Sequence, residues 1–261
     1  MTDAQQRRVV VTGASSGIGA ATVRLFRQHG WAVLGVARRA DRLAALEEET
    51  GCDTLVVDVT DDASVAAMVD RLEQLGPVHA LVNNAGGAFG QDSIESGDID
   101  EWRRMYEVNV IGVKRVTTAV LPLLRRAVAP RDSASIVNIT SIAGHIAYEG
   151  GGGYNAAKFA AHALTAVLRL ELAGEPIRVV EIAPGMVKTD EFSLVRFAGD
   201  QAKADKVYEN VPAPLSAEDV AAEIVHACEL APHIDLDLVT IKPVAQAAPW
   251  KVMRGELTPR V

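Results

Sequence analysis

The chain has 261 residues, 49% of them hydrophobic and 23% charged, so it can bury a large core without disulfides or a structural metal. Its formal net charge is -8 and its basic residues are scattered, which argues against binding to nucleic acid. Its two cysteines form no zinc or redox motif, and no apolar segment is long enough to cross a membrane. We therefore expect a soluble, cytoplasmic protein that binds neither nucleic acid nor membrane.

Apolar strand-like segments alternate with amphipathic helix-like segments along the chain. Predicted strands cover residues 8–12, 31–37, 55–57, 78–82, 135–140, 178–182 and 236–241; predicted helices cover 20–29, 41–49, 63–75, 99–126 as one or two helices, 154–172 and 217–229. Such alternation forces parallel pairing through right-handed crossovers. The pattern predicts one α/β domain over residues 1–261, a doubly wound parallel sheet of Rossmann type with about seven strands and helices on both faces. Residues 186–214 break the alternation and are predicted to form a lid.

A glycine-rich segment, Thr12-Gly13-Ala14-Ser15-Ser16-Gly17-Ile18-Gly19, lies between the first predicted strand and the first predicted helix. Gly13 lets the chain turn, Gly17 lets the backbone approach a pyrophosphate, and Gly19 lets the helix pack closely on the sheet. The N–H groups at the start of the helix face the anion. The segment predicts a dinucleotide-binding loop that includes Ser15, Ser16 and Ile18; the alternative is a glycine-rich turn without a ligand.

Two arginines, Arg38 and Arg39, follow the second predicted strand. An NAD-binding domain usually carries Asp or Glu at this point, where the carboxylate accepts hydrogen bonds from the adenosine ribose. A guanidinium matches a phosphate in shape and charge instead. The pair therefore predicts NADP as the cofactor, with its 2′-phosphate at Arg38 and Arg39; the alternative is a solvated arginine pair.

Tyr154 and Lys158 are four residues apart at the start of a predicted helix, so their side chains lie on one face. A nearby ammonium favours the phenolate, and Lys158 is therefore expected to lower the pKa of Tyr154. A tyrosine activated in this way can give or take a proton in an oxidoreductase reaction.

Several motifs together resemble the short-chain dehydrogenase/reductase family over nearly the whole chain. They are the spacing of the three loop glycines, Asn83-Asn84-Ala85-Gly86, and Asn109, Ser141, Tyr154, Lys158 and Pro184-Gly185. Residues 191–197, Glu-Phe-Ser-Leu-Val-Arg-Phe, and residues 243–246, Pro-Val-Ala-Gln, are similar to the NADP-dependent 3-hydroxy acid dehydrogenases that act on serine and allo-threonine. The resemblance implies an NADP-dependent oxidoreductase of a small-molecule carbonyl compound or alcohol.

The resemblance also implies roles for individual residues. Ser141 would hold the substrate oxygen, Asn109 would anchor a water that links Lys158 to solvent, and Lys158 would also bind the nicotinamide ribose. Further cofactor contacts would come from Asp58, Val59, Asn84, Ala85, Gly86, Pro184, Gly185, Val187 and Thr189. Asp58 could equally be the cap of the helix that starts near residue 61 or 62.

The substrate residues are expected in and near the lid. Arg196 could pair with a substrate carboxylate; the alternatives are a solvent-facing arginine or a contact between subunits. Tyr148, Met186, Phe192 and Phe197 are expected as apolar walls of the pocket or as packing under the lid. The four glycines at residues 150–153 predict a looser pocket beside Tyr154.

The leading hypothesis is an NADP(H)-dependent enzyme for a small 3-hydroxy acid or a related β-hydroxy carbonyl compound. One alternative is a reductase of an uncharged or thioester-linked ketone, and another is a catalytically silent NADP sensor. The six histidines lack ligand spacing and no acid is tied to them, so neither a metal site nor a hydrolase triad is expected. The family implies a homo-oligomer, a tetramer or a dimer, and small residues at positions 156, 157, 160, 161 and 163 would allow close helix approach.

Overall fold

A computed structural model describes residues 6–129 and 132–259 of the chain. Its main sheet has seven parallel strands in the order β3-β2-β1-β4-β5-β6-β7. The strands are β1 Arg8–Thr12, β2 Ala32–Ala37, β3 Asp53–Val56, β4 Ala80–Asn83, β5 Ala134–Ile139, β6 Ile177–Pro184 and β7 Leu238–Ile241. The predicted fold class is confirmed.

Helices cover both faces of this sheet. They are α1 Gly17–Gln28, α2 Ala40–Thr50, α3 Asp62–Leu75, α4 Ile99–Tyr106, α5 Gly112–Ala127, α6 Gly152–Glu171, α7 Phe192–Arg196, α8 Gln201–Tyr208 and α9 Ala217–Glu229. A wide π-helical turn, Glu107–Ile111, joins α4 to α5, so the predicted span 99–126 is one continuous helical rod with a change of winding. A short 3-10 turn, Ile142–Gly144, follows β5.

The hydrophobic core lies in two layers because neighbouring residues of a strand point to opposite sides of the sheet. Val9 and Val11 of β1 pack with Phe26 of α1 in the layer that also contains α9. Val10, between them, packs in the opposite layer with residues of α3 and α5, among them Leu72. All these side chains are buried, which explains why the strands are nearly continuous apolar runs.

The structure differs from the predicted elements mainly at loops. Helix α1 begins at Gly17 rather than at residue 20, because Gly17-Ile18-Gly19 already form its first turn. The segment 186–214, predicted to be irregular, contains the short helices α7 and α8. A small antiparallel hairpin, β8 Gln246–Ala248 and β9 Lys251–Val252, was not predicted.

The strand order reverses between β1 and β4, whose connections run to opposite sides of the sheet. A crevice forms at such a switch point, beyond the carboxyl ends of the strands. Within the described ranges, the helices include none that combines the length and apolar character of a membrane span.

Candidate active site

A cleft of about 1580 Å³ lies at the carboxyl ends of the strands, and it brings together most of the predicted site residues. Such a volume exceeds that of an ordinary small-molecule pocket and leaves room for a dinucleotide beside a substrate. The predicted residues that line it are Gly13, Ser15, Ser16, Gly17, Ile18, Arg38, Arg39, Asp58, Val59, Asn84, Ala85, Gly86, Ser141, Tyr148, Tyr154, Lys158, Pro184, Gly185, Met186, Val187, Thr189, Phe192, Arg196 and Phe197. Gly19 and Asn109 lie behind this lining and support it.

The glycine loop has the shape that a phosphate-binding turn requires. Gly13 and Gly17 have positive φ angles of 68° and 50°, a region that side chains disfavour. A Cβ at Gly19 would overlap the carbonyl oxygen of Gly13, so only glycine allows α1 to start this close to the loop. The Asn84 side-chain amide donates to the carbonyl oxygens of Thr12 at 2.9 Å and Gly13 at 3.3 Å, which fixes the loop against the end of β4. The cradle fits a pyrophosphate.

The two arginines after β2 are arranged differently from each other. Arg38 is exposed at the rim of the cleft. Arg39 donates to the hydroxyl oxygens of Ser15 and Ser16 and forms an ion pair with Glu191 at 2.7 Å. Both side chains line the cleft beside the glycine loop.

Asp58 also lines the cleft, and its side chain accepts from the backbone and hydroxyl of Thr60 at 2.9 and 2.7 Å. The cap of α3 is Asp61, whose carboxylate accepts from the backbone N–H of Ser64. The alternative that Asp58 caps this helix is therefore wrong.

Ser141, Tyr154 and Lys158 meet at the inner end of the cleft. Tyr154 and Lys158 are both buried on the first turns of α6, and the Lys158 Nζ donates to the Ile139 carbonyl oxygen at 3.1 Å. Burial lowers the pKa of Lys158 to about 8, although the charge of Glu181 opposes this shift. Burial raises the pKa of Tyr154 above its ordinary value, with the Ser141 hydrogen bond and the Arg196 charge opposing it.

The expectation that Lys158 lowers the pKa of Tyr154 is wrong in this structure. The Lys158 Nζ lies 5.8 Å from the centre of the Tyr154 ring, and its hydrogen bond goes to Ile139. Burial of the phenol outweighs the nearby charges. Tyr154 is therefore held as a neutral phenol, the form that donates a proton.

Arg196, at the end of α7, turns into the cleft rather than towards solvent. Its guanidinium carbon lies 5.7 Å from the ring centre of Tyr148 and 5.8 Å from that of Tyr154. Its Nε donates to the Gly90 carbonyl oxygen at 3.2 Å, and the Gly90 backbone N–H donates back to the Arg196 carbonyl. The Nη2 atom is buried and has no hydrogen-bond partner among residues 6–129 and 132–259.

The family model described as short chain dehydrogenase matches residues 7–196, which is well over half of the chain. The chain belongs to the short-chain dehydrogenase family. It is therefore an oxidoreductase, and the predicted family resemblance is confirmed.

Among related short-chain dehydrogenases, sulfoacetaldehyde reductase 2 of Chromohalobacter salexigens is 40% identical over 92% of this chain and 95% of its own. The NADP-dependent 3-hydroxy acid dehydrogenase YdfG of Salmonella typhi is 37% identical over 92% of this chain and 96% of its own. The closed form of a serine dehydrogenase complexed with NADP+ superposes with a TM-score of 0.87 at 35% identity, covering 97% of this chain and all of that one.

Asn109 sits in the wide turn between α4 and α5 of this short-chain dehydrogenase and is buried. Its amide nitrogen donates to the carbonyl oxygens of Gly87 and Met105 at 2.9 and 2.8 Å, and its oxygen accepts from the Gly87 backbone at 3.3 Å. Gly86 must remain small because a Cβ there would lie 2.7 Å from the Asn109 oxygen. Asn109 thus fixes the loop after β4 that forms one wall of the cleft.

The four glycines before Tyr154 do not loosen the pocket, contrary to the sequence-based expectation. They lie outside the lining of the main cleft: Gly152 and Gly153 face α4, whereas Gly150 lies against Gln91 and Gly151 lies against Tyr148. A Cβ at Gly152 would lie 2.8 Å from the Trp102 ring, and one at Gly153 would overlap the end of Met105. Gly152 and Gly153 therefore form a shelf on which Trp102 and Met105 pack close to the backbone of α6.

Some residues of the cleft were not found from the sequence. Phe89 and Arg104 form one wall, with the Arg104 guanidinium carbon 3.9 Å from the Phe89 ring centre, and Trp250 of the C-terminal hairpin lies at the rim. None of them belongs to a recognisable spacing, since they come from a loop, the middle of a helix and a distant hairpin.

Proposed function

We propose that this enzyme transfers hydride between NADP(H) and a small carbonyl compound that carries an acid group on the carbon next to the carbonyl. In the oxidative direction the same reaction consumes a 3-hydroxy acid. The observation that carries the proposal is the buried Nη2 of Arg196, a donor beside Tyr154 that finds no hydrogen-bond partner within residues 6–129 and 132–259. Leaving such a donor unpaired costs about 1 to 3 kcal/mol, which an anionic substrate group would recover.

The chemistry follows from the groups at the inner end of the cleft. NADPH, the cofactor, supplies the hydride when it is bound. Ser141 donates to the substrate oxygen, and the neutral phenol of Tyr154 gives its proton to that oxygen as the alcohol forms. Lys158, charged below a pKa of about 8, would hold the cofactor ribose through its ammonium group.

Two relatives support an acid group in this position. Sulfoacetaldehyde carries a sulfonate on the carbon next to its aldehyde, and a 3-oxo acid carries a carboxylate on the carbon next to its ketone. The relative named sulfoacetaldehyde reductase 2 is 40% identical to this chain, and the relative named 3-hydroxy acid dehydrogenase is 37% identical. A single cation held at a fixed distance from Tyr154 would recognise either acid group. Arg196 is such a cation, because its guanidinium lies beside the Tyr154 ring.

We test this function by comparing a 3-hydroxy acid with its methyl ester in the wild-type enzyme and in Arg196→Met. Methionine keeps most of the apolar stem but removes the charge. We expect kcat/KM for the acid to fall by roughly 10- to 100-fold, and the ester to change little, because only the acid loses a charge-assisted pair. Absorbance at 340 nm gives both rates.

The matched control is Arg103→Met, which removes an exposed arginine of α4 that pairs with Asp100. This variant should leave kcat/KM unchanged for both the acid and the ester. An ester that is used as well as the acid by the wild-type enzyme would contradict the proposal and favour an uncharged or thioester-linked ketone.

The cofactor preference depends on Arg38 at the rim of the cleft. Arg38→Ala should weaken NADPH binding by about ten- to a hundredfold, which corresponds to a charge-assisted contact of roughly 1.5 to 3 kcal/mol, and should leave NADH binding unchanged. Calorimetric titration with each nucleotide measures both values. Arg24→Ala, which removes an exposed arginine paired with Glu49, serves as the control. Equal affinities of the wild-type protein for NADPH and NADH would refute this preference.

The buried Lys158 predicts a pH dependence. Its pKa of about 8 means that it is charged at neutral pH and becomes neutral as the pH rises through that value. Affinity for NADPH should therefore fall as the pH rises above 8, by up to about tenfold per unit, because the neutral amine loses its charge-assisted contact. Fluorescence titrations from pH 6 to 10 measure this, and Arg38→Ala should bind more weakly with the same inflection. An NADPH affinity that stays constant up to pH 10 would mean that the Lys158 ammonium does not contribute to cofactor binding.

The lid over residues 186–214 and the homo-oligomer, a tetramer or a dimer, stay predictions. The lid is supported by Arg196 and Phe192, which reach the cleft from α7. The oligomer is supported by an exposed apolar stripe on α6 that includes Phe159, Val167 and Leu170. Of the small residues expected at such an interface, those at 156 and 163 are exposed, whereas those at 157 and 161 pack inside their own chain.

A further inference from the structure

Two histidines enclose a buried carboxylate behind the inner end of the cleft. The Glu181 side chain on β6 is only 1% exposed. His145 Nε2 lies 3.0 Å from its Oε1, and His162 Nδ1 lies 2.8 Å from its Oε2. The two imidazole rings are 4.2 Å apart between centres. The expectation that no acid is tied to a histidine is therefore wrong.

The three side chains come from three elements, which is why sequence spacing does not reveal them. His145 follows the 3-10 turn after β5, His162 lies on α6 one turn beyond Lys158, and Glu181 lies in the middle of β6. The tertiary fold brings their candidate ligand atoms within 4.8 Å of one another. In the part of the chain that the structure describes, they are the one group of three such side chains with this geometry.

We propose that His145, His162 and Glu181 form a binding site for a divalent transition-metal ion such as Zn²⁺. The set of two imidazoles and one carboxylate is one that Zn²⁺ uses in proteins, with bonds of roughly 2.0 to 2.2 Å to nitrogen and oxygen. Tetrahedral ligands at such bond lengths are about 3.3 Å apart. The two histidine nitrogens now lie 3.0 and 2.8 Å from different oxygens of the carboxylate, with all candidate ligand atoms within 4.8 Å of one another, so small side-chain rotations would bring them to this spacing around an ion.

The surroundings favour a bound cation over a simple hydrogen-bonded cluster. The Thr140 hydroxyl donates to Glu181 Oε1 at 2.7 Å and thereby orients the carboxylate, as partners of metal ligands commonly do. The Glu181 carboxylate contributes one negative charge, of which the charge on Lys158 balances only a part because that ammonium donates to Ile139 instead, and a divalent ion would interact with it directly. The His145 and His162 side chains are 23% and 38% exposed, so an ion can enter and keep a water as its fourth ligand.

The test is metal binding by the full-length protein after chelator treatment. We expect Zn²⁺ to bind at one equivalent per chain by calorimetry, and Co²⁺ at the same site to show the intense visible bands of tetrahedral coordination. His162→Gln keeps a donor to Glu181 but cannot take part as an imidazole ligand. It should weaken Zn²⁺ binding by about 100-fold or more, since even indirect partners of a ligand contribute about 10- to 100-fold. His145→Gln should do the same.

The matched control is His29→Gln. His29 Nδ1 also lies 3.0 Å from a glutamate oxygen, that of Glu229, but in a pair without a second histidine. This variant should bind Zn²⁺ like the wild type, and circular dichroism should show that all variants are folded. The proposal is overturned if the wild type takes up no Zn²⁺, if both His145→Gln and His162→Gln bind as tightly as the wild type, or if His29→Gln weakens binding as much as they do.

Discussion

Tyr154→Phe is expected to lower kcat for carbonyl reduction by about 10²- to 10⁴-fold, the range that a positioned acid or base contributes. The phenol is buried beside α7 with its pKa raised, so at neutral pH it carries the proton that the product oxygen needs. Phenylalanine fills the same space, and the Tyr154 ring packs edge-on to Phe192 at 5.9 Å, a contact that the variant keeps. The dissociation constant for NADPH should therefore change little. Steady-state rates and a binding titration on the same preparation separate the two effects.

Tyr148→Phe is the matched control for that experiment. Tyr148 lines the same cleft and faces the same arginine, with the Arg196 guanidinium carbon 5.7 Å from its ring centre. Loss of its hydroxyl should cost less than tenfold in kcat, because it takes no part in proton transfer. Substantial turnover by Tyr154→Phe would show that another group supplies the proton.

Of the substitutions that add one methyl group to the glycine loop, Gly19→Ala should lower the stability of the protein most. The new Cβ would overlap the Gly13 carbonyl oxygen and would lie 2.6 Å from the Asn84 amide, so the backbone itself has to move. Overpacking against backbone costs about 3 kcal/mol or more, which lowers the melting temperature of a chain of this length by roughly 6 to 12 °C. NADPH binding should be lost together with stability. Differential scanning calorimetry with and without NADPH measures both.

Gly17→Ala provides the comparison because it adds the same atom two residues earlier. Its Cβ would lie 3.3 Å from the Thr189 methyl group, a side chain that can yield, while its φ of 50° adds about 1 kcal/mol of backbone strain. This variant should remain nearly as stable as the wild type but bind NADPH weakly, since the methyl group occupies the approach of the pyrophosphate. If Gly19→Ala is as stable as Gly17→Ala, the packing of α1 on the loop does not depend on glycine.

The alternation of apolar strands and amphipathic helices was sufficient to predict the fold. Val9, Val10 and Val11 have both faces buried, so the strand had to lie inside a sheet covered on two sides. The beginning of α1 was placed three residues too late because glycines weaken a helical pattern even where they form the first turn. The hairpin β8–β9 was missed because its strands are only three and two residues long.

A site residue could be predicted from the sequence where its residue type has a single physical reason to occur at that position. Gly13, Gly17 and Arg38 are of this kind, and each lies in the cleft as expected. Properties that depend on several elements were not predictable. The burial that raises the pKa of Tyr154 comes from the packing around the whole cleft, and the small size of Gly152 and Gly153 is explained by Trp102, which lies on a different helix.

The wide turn at Glu107–Ile111 also decides how the long helical rod can change. Each residue of a helix advances it by about 100°, and a π turn holds one residue more than the α turn it replaces. The two kinds of turn nevertheless cover nearly the same rotation, so loss of one residue at Glu107–Ile111 would convert the π turn into an α turn and leave α4 and α5 facing nearly their present neighbours. Loss of one residue between Trp102 and Glu107 would instead rotate Trp102 by about 100° relative to α5 and carry it away from Gly152 and Gly153. The π turn is therefore a place where the rod tolerates a change of length without separating the cleft wall from the core.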